Sequence, residues 1–287
     1  MSTAELSRPT TEPRFARIRR ALLTPRAARI TAPVLFLIGW QLIAPLIPSR
    51  ILPMPADVAE AMWEQLVDGT MVDAFSISIL RLAAGFSVAL VLGAVVGLAM
   101  GLSTRVEAFL HDFVIVGLTF PYLIWGLLVA MWFGFEGRGP FVVVVIAALP
   151  YVIINMAEGV RDVSKELRDM ATSYDVPNAR VLRHLVLPSL SPFFFASLRY
   201  GLANGWKGLV LAEVFAATSG AGYVINEMEE YGFFAGVIGF ALWFALFSIL
   251  VERLVFGRLS RRVFRWRSAA VRTEETRKVE PFEAMVD

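Results

Sequence analysis

Residues 158–188 read EGVRDVSKELRDMATSYDVPNARVLRHLVLP, and ten of them are Asp, Glu, Lys or Arg. This charged stretch lies between two apolar runs long enough to cross a bilayer, in a chain of 287 residues that is 57% hydrophobic and only 18% charged. With a mean hydropathy of +0.63, the composition falls outside that of soluble globular domains. A hydrocarbon core ~30 Å thick takes ~20 apolar residues per helix. Six stretches meet or approach that length: 31–48, 75–102, 113–135, 140–157, 190–217 and 233–251. The fold class expected is an all-α polytopic membrane protein of about six spans. Because the first and fourth stretches are the shortest, a five-span reading stays open. On either count, 158–189 is a charged loop between two spans.

Charge distribution sets an orientation. Of twenty-seven Lys and Arg residues, twenty-one fall in 1–30, 102–112, 158–189 and 257–287. The opposite side holds only Arg50 and Arg138, while Arg81, Arg199, Lys207 and Arg253 lie in or at the ends of spans. Acidic residues gather on that opposite side, in 49–74 and 218–232. The positive-inside rule then places both termini in the cytoplasm. The first apolar run follows a long Arg-rich head and lacks a small-residue cleavage site, so it reads as a retained span. The division expected is a basic tail (1–30), a first span (31–48), an external segment (49–74), a membrane core with its charged loop (75–256) and a basic tail (257–287). Residues 1–13 and 268–287 are polar and aperiodic, a disorder signature. Basic tails beside spans fit contact with anionic lipid better than nucleic acid.

Several chemistries are excluded by what is missing. With no cysteine there is no disulfide, thiolate metal site or thiol nucleophile. No G-x-x-x-x-G-K-[ST] phosphate loop occurs, so the chain itself is not expected to hydrolyse ATP, and energy must come from a partner or an ion gradient. His111 and His184 sit in no metal-binding spacing, and no Ser-His-Asp set is present. No cofactor and no enzymatic activity are expected.

The fifth apolar run carries the polar exceptions. Arg199, Trp206 and Glu213 recur at seven-residue steps, which drift ~20° each and so share a helix face; Lys207 is ~80° around from Arg199 at ~100° per residue. Charges in a span cost ~2.5–3.5 kcal/mol each and are expected to point inward with partners. They either line a substrate pathway or form an ion pair that positions helices. Tyr122, Trp125 and Trp132 in the third run fit a pathway or ordinary packing, and Asn155 in the fourth is a further candidate. Gly93, Gly97 and Gly101 have the spacing for close helix approach. Pro121 and Pro150 are expected to kink their helices. Residues 56–67 form an amphipathic pattern with Val58, Met62, Trp63 and Leu66 on one side, expected to rest on the bilayer interface.

One spacing carries a resemblance. Asp169-Met170-Ala171, three residues, Asp175, nine residues, then Leu185-Val186-Leu187-Pro188 is similar to the E-A-A, G, I-x-L-P loop of ATP-binding-cassette (ABC) importer permeases. Collinear pieces extend it over 52–266: LPMP at 52–55, SILRLAAGF at 78–86, Leu198-Arg199 through Trp206 to Ala212-Glu213, and GAGYVI at 220–225. The chain resembles the nitrate, sulfonate and taurine branch of these permeases. That resemblance implies a type I importer permease fold in the bacterial inner membrane, paired as a homodimer or with a second permease. It also implies two cytoplasmic ABC ATPase subunits and a periplasmic or lipid-anchored solute-binding protein. Small anions such as sulfonates or nitrate are the implied solutes. Asp169, Met170, Ala171, Ser173, Asp175, Leu185, Leu187 and Pro188 are the implied coupling residues, with small Ala171 and Ser173 allowing close approach. Asp169 and Met170 replace Glu and Ala of the family pattern, and Asp175 stands where Gly is expected to supply a left-handed turn, a conformation Asp adopts better than most residues. The competing reading from another class is a gradient-driven secondary transporter, motivated by the charges and the proline-broken spans; a structural anchoring subunit is the third.

Overall fold

The computed structural model describes residues 25–134 and 138–263, and most of these are helical, with no strand among them. In chain order the helices are α1 (Pro25–Ile43), α2 (Pro55–Val67), α3 (Thr70–Leu102), α4 (Thr104–Thr119), α5 (Tyr122–Phe133) and α6 (Arg138–Arg161). They continue as α7 (Lys165–Ser173), α8 (Asn178–Ser189), α9 (Ser191–Ala216), α10 (Ala221–Glu230), α11 (Phe234–Leu250) and α12 (Gly257–Val263). Wider π-type turns occupy Leu182–Val186 within α8 and Val251–Phe256 between α11 and α12. Residues 1–13 and 268–287, expected to be disordered, lie outside the described residues.

Among the described residues, three helices are long and apolar enough to cross a membrane: Thr70–Leu102, Arg138–Arg161 and Phe234–Ser260. The bent pairs α4 with α5 and α8 with α9 bring the number to as many as five, and 31–48 holds only a shorter apolar helix, Thr31–Leu46. The kink expected at Pro121 in the run 113–135 is a sharp break. The two halves of the run meet at 99°, because Phe120 and Pro121 are both extended (ψ 129° and 130°) and the residue before a proline is pushed out of the α region. Pro150, by contrast, stays inside a continuous α6. Its ring fills the space beside Gly117, where a Cβ would come within 2.7 Å of Pro150 Cγ.

The core is α6 clasped between α3 and α9. Along α3, Gly85, Gly93, Gly97 and Gly101 meet Val144, Val152, Met156 and Val160 of α6 in the same order, so these two helices run parallel. A Cβ on Gly97 would stand 2.5 Å from the Ile153 carbonyl. Backbone lies against backbone there, the close packing that small residues permit in membranes. On the other flank Gly201, Gly205 and Gly208 of α9 meet Val152, Ala148 and Ala147 in reverse order, so α9 is antiparallel to α6. Leu82, Phe86, Ala148, Val152 and Leu209 fill the seam. The end of the bundle bearing 158–189 is the loop end; the opposite one is the far end.

At the far end α2 docks on α11. Val58, Ala61 and Gln65 are buried, and the Gln65 amide donates to the Gly236 carbonyl at 2.9 Å. Gly236 and Gly239 strip that face of α11 of side chains, so the helices approach closely enough to bury a glutamine. Trp63, expected on the same apolar side as Val58, remains 66% exposed. The Trp40 indole of α1 donates to the Pro53 carbonyl at 3.0 Å, tying α1 to the 52–55 segment.

Candidate functional site

At the loop end, α7 stands clear of the bundle with no buried residue. Leu167, Met170, Ala171 and Tyr174 recur at helical spacing to form its apolar stripe, while Lys165, Glu166, Asp169, Thr172 and Ser173 take the other side. Arg168 reaches back and donates to the Val160 carbonyl at the end of α6. The C-terminus of α7 is closed by a paired cap: Asp175 N–H donates to Thr172 at 3.1 Å and Val176 N–H to Ala171 at 2.9 Å. This is the Schellman arrangement, which needs a left-handed residue after the helix. Asp175 supplies it with φ 49°, alone among the described non-glycine residues. The chain then doubles back so that Leu167, Met170 and Ala171 of α7 and Val181, His184 and Leu185 of α8 line one depression of about 380 Å³.

The structure therefore gathers Met170, Ala171 and Leu185, and places Asp169 and Ser173 on the opposite side of α7. Leu187 and Pro188 are exposed, whereas the residue between the motif leucines, Val186, is buried in the α3–α6 core. Sequence reasoning passed over Val186. The π-type turn at Leu182–Val186 rotates the register, which plain helical spacing does not reveal.

Within the spans, the residues of the fifth run separate. Glu213 is fully buried near the far end of α9. Its Oε1 accepts from Arg81 Nη1 of α3 at 2.9 Å, and its Oε2 accepts from the Ser78 hydroxyl at 2.7 Å and Gly222 N–H at 3.1 Å. Arg81 also donates to the Ser219 carbonyl and hydroxyl, and Ala221 N–H donates to Ser78. Gly220, at φ +108°, brings its backbone so close that a Cβ would lie 2.3 Å from Glu213 Oε1. A buried carboxylate with a guanidinium, a hydroxyl and the first turn of α10 as donors is satisfied as burial requires.

The expectation of one shared inward face is corrected. Arg199, at the loop end, has a half-exposed side chain paired with Glu252 at 2.5 Å. Trp206 stacks among Phe75, Phe244 and Phe247 with ring centroids 6.2, 5.2 and 4.9 Å away. Lys207 is exposed. The seven-residue spacing is right for the helix, but α3 covers Glu213, Phe75 of α3 and Phe244 and Phe247 of α11 surround Trp206, and Glu252 in the π-type turn after α11 meets Arg199, so different neighbours meet each residue. Arg81, Ser78 and Ser219 went unread as partners. The signal was available, since oppositely charged residues in two spans call for each other.

A second polar group sits at the α4–α5 break. The Tyr122 hydroxyl lies 3.0 Å from Asn204 Oδ1 and 3.3 Å from the Tyr151 hydroxyl. Trp125 stacks on Phe120 at 4.9 Å. Asn155 donates to the Tyr151 carbonyl within α6. No group of residues able to hold a metal ion occurs among the described residues.

Comparison with known proteins gives this geometry its context. Residues 89–265 match the family described as binding-protein-dependent transport system inner membrane component. The taurine transport system permease protein TauC of Escherichia coli (strain K12) is 30% identical, over 82% of this chain and 88% of its own length. The aliphatic sulfonates transport permease protein SsuC of Bacillus subtilis (strain 168) is 29% identical, over 83% and 86%. The nitrate import permease protein NrtB of Synechococcus elongatus is 26% identical, over 84% and 94%. These likenesses do not favour the gradient-driven alternative. Together with apolar, membrane-length helices around a buried core, they establish that the chain belongs to the binding-protein-dependent inner-membrane component family, as a multi-pass permease subunit of an ABC importer that works with an ATPase and a solute-binding protein.

Proposed function

We propose that this permease pairs with a second copy and that α7 is the coupling helix, seated in a groove of the ATPase, with Ala171 at the tightest contact. The observation that carries this reading is the construction of α7: an exposed amphipathic helix, capped by Asp175, tied to α6 through Arg168 and apolar towards solvent at Leu167, Met170 and Tyr174. A stiff projecting helix transmits closure of the ATPase as a rigid-body motion. The loop end is cytoplasmic, as are both termini; the concentration of Lys and Arg in 158–189 and in the tails supports this. The open face of α9, with Tyr122, Asn204 and Lys207, lines the pathway between the two copies. The names of the relatives support a small solute with an anionic group, a sulfonate, taurine or nitrate.

Ala171→Arg tests the coupling role, because a long charged side chain overfills a packed contact at ~1–3 kcal/mol. The tagged variant is expected to insert and fold normally, yet to recover less ATPase subunit and to support little uptake. Parent-level recovery and uptake would show that α7 is a solvated connector.

A further inference from the structure

Lys207 is the group in this molecule whose surroundings least match its charge. At ~1.5 Å per residue it stands roughly 24 Å along α9 from Ser191 and roughly 14 Å short of Ala216, too deep for the snorkelling open to charges at helix ends. Its side chain is exposed on the single chain, while its neighbours Gly205, Gly208 and Leu209 are buried. Among the described residues no carboxylate pairs with it: Glu213 is held by Arg81 and Glu252 by Arg199. An ammonium left against hydrocarbon costs ~2.5–3.5 kcal/mol even on lenient scales. Water, an anion or a polar group of the second copy must therefore meet this face.

The rest of the face agrees. Tyr200 and Ala203 are exposed on the same stripe of α9, and Asn204, one turn from Lys207, holds the Tyr122 hydroxyl. The stripe carries hydroxyls, an amide and one cation, and no acid.

We propose that Lys207 is the anion-selecting residue of the translocation pathway, meeting the charged head of a sulfonate, carboxylate or similar small anion as it passes Asn204 and Tyr122. This rests on the reading above that the open face of α9 lines the pathway. Arg81, though cationic, cannot serve, since Glu213 and Ser219 already occupy its guanidinium.

The absence of cysteine allows a direct test. Ala203→Cys places a single thiol one helical turn from Lys207, at the ~5–6 Å Cβ spacing of i, i+4 neighbours. In the assembled permease–ATPase complex in membranes, its modification rate is measured with two methanethiosulfonates of similar size, one bearing a sulfonate and one a trimethylammonium. Relative to a free thiol, the sulfonate reagent is expected to gain about tenfold over the cationic one, equivalent to ~1.4 kcal/mol. Adding Lys207→Gln should erase that gain, and Lys207→Arg should retain it, with all variants eluting as intact complex. A thiol that reacts but shows the same rate ratio with Lys207→Gln overturns the proposal while leaving the pathway reading standing. A thiol that neither reagent reaches overturns the pathway reading itself, and the proposal with it.

Discussion

Removing Arg81 should unlock the far end of the bundle. In Arg81→Met the Glu213 carboxylate, wholly buried, would keep only Ser78 and Gly222 as donors, and the Ser219 carbonyl would lose its guanidinium. Breaking one side of a buried pair costs ~3–5 kcal/mol because the remaining charge stays uncompensated. For a domain of this size each kcal/mol moves Tm by ~2–4 °C, so a fall on the order of 10 °C is expected. Glu213→Gln keeps the shape, but its amide must turn a donor towards Arg81 Nη1 or towards Gly222 N–H, at 2.9 or 3.1 Å. Neither flip is satisfied, and a loss of ~1–3 kcal/mol follows. With the guanidinium gone, the glutamine can aim its amide at the vacated side. The double variant should therefore lose less than the sum, with a coupling of about 2 kcal/mol, within the range for groups in one network. The four proteins are compared by heating the detergent-solubilised complex and following intact material on size exclusion. An Arg81→Met protein that melts with the parent, or single effects that simply add, would refute the reasoning.

The cap after α7 should tolerate Asp175→Gly, since glycine adopts φ 49° freely, whereas Asp175→Val puts a β-branched residue in the left-handed region at ~1–2 kcal/mol or more; faster tryptic cleavage near Lys165 and Arg168 in the valine variant alone checks it, and equal resistance would count against the cap. Gly97→Ala should destabilise the bundle by ~1–3 kcal/mol because its Cβ meets the Ile153 carbonyl at 2.5 Å, while Gly39→Ala, with nothing within 4 Å, should not; melting of the two solubilised proteins side by side decides it.

Much of this was readable in the sequence because the bilayer imposes length and polarity on each span. The runs at 75–102, 140–157, 190–217 and 233–251 fall on α3, α6, α9 and α11 within a few residues, and the glycine spacing of α3 announced its close neighbour. The requirement for a left-handed residue at 175 follows from helix termination, and Asp meets it. Partnership across helices was not readable. The charge of Glu213 is evident, but which cation answers it depends on α3 and α9 packing on adjacent faces of α6 and against each other. Pro121 and Pro150 look alike in sequence; one ends a helix and the other does not, because Gly117 offers the second a place for its ring. The docking of α2 turned on Gly236 and Gly239, far along the chain.

The glycine ladder between α3 and α6 has a mechanical meaning. With α3 contributing only glycine at Gly85, Gly93, Gly97 and Gly101, so that Val144, Val152, Met156 and Val160 of α6 seat directly on its backbone, the two helices cannot slide or roll independently without collision and must travel as one bar. That bar is gripped at one end by α7, through Arg168, and carries Ser78 and Arg81 to Glu213 at the other. Bending is left to places where the regular helical ladder is interrupted, and two of them flank this bar along the chain: the extended pair at Phe120 and Pro121, and the widened turn at Leu182–Val186. A push on α7 would then swing a lever, and those two joints are its fulcrums.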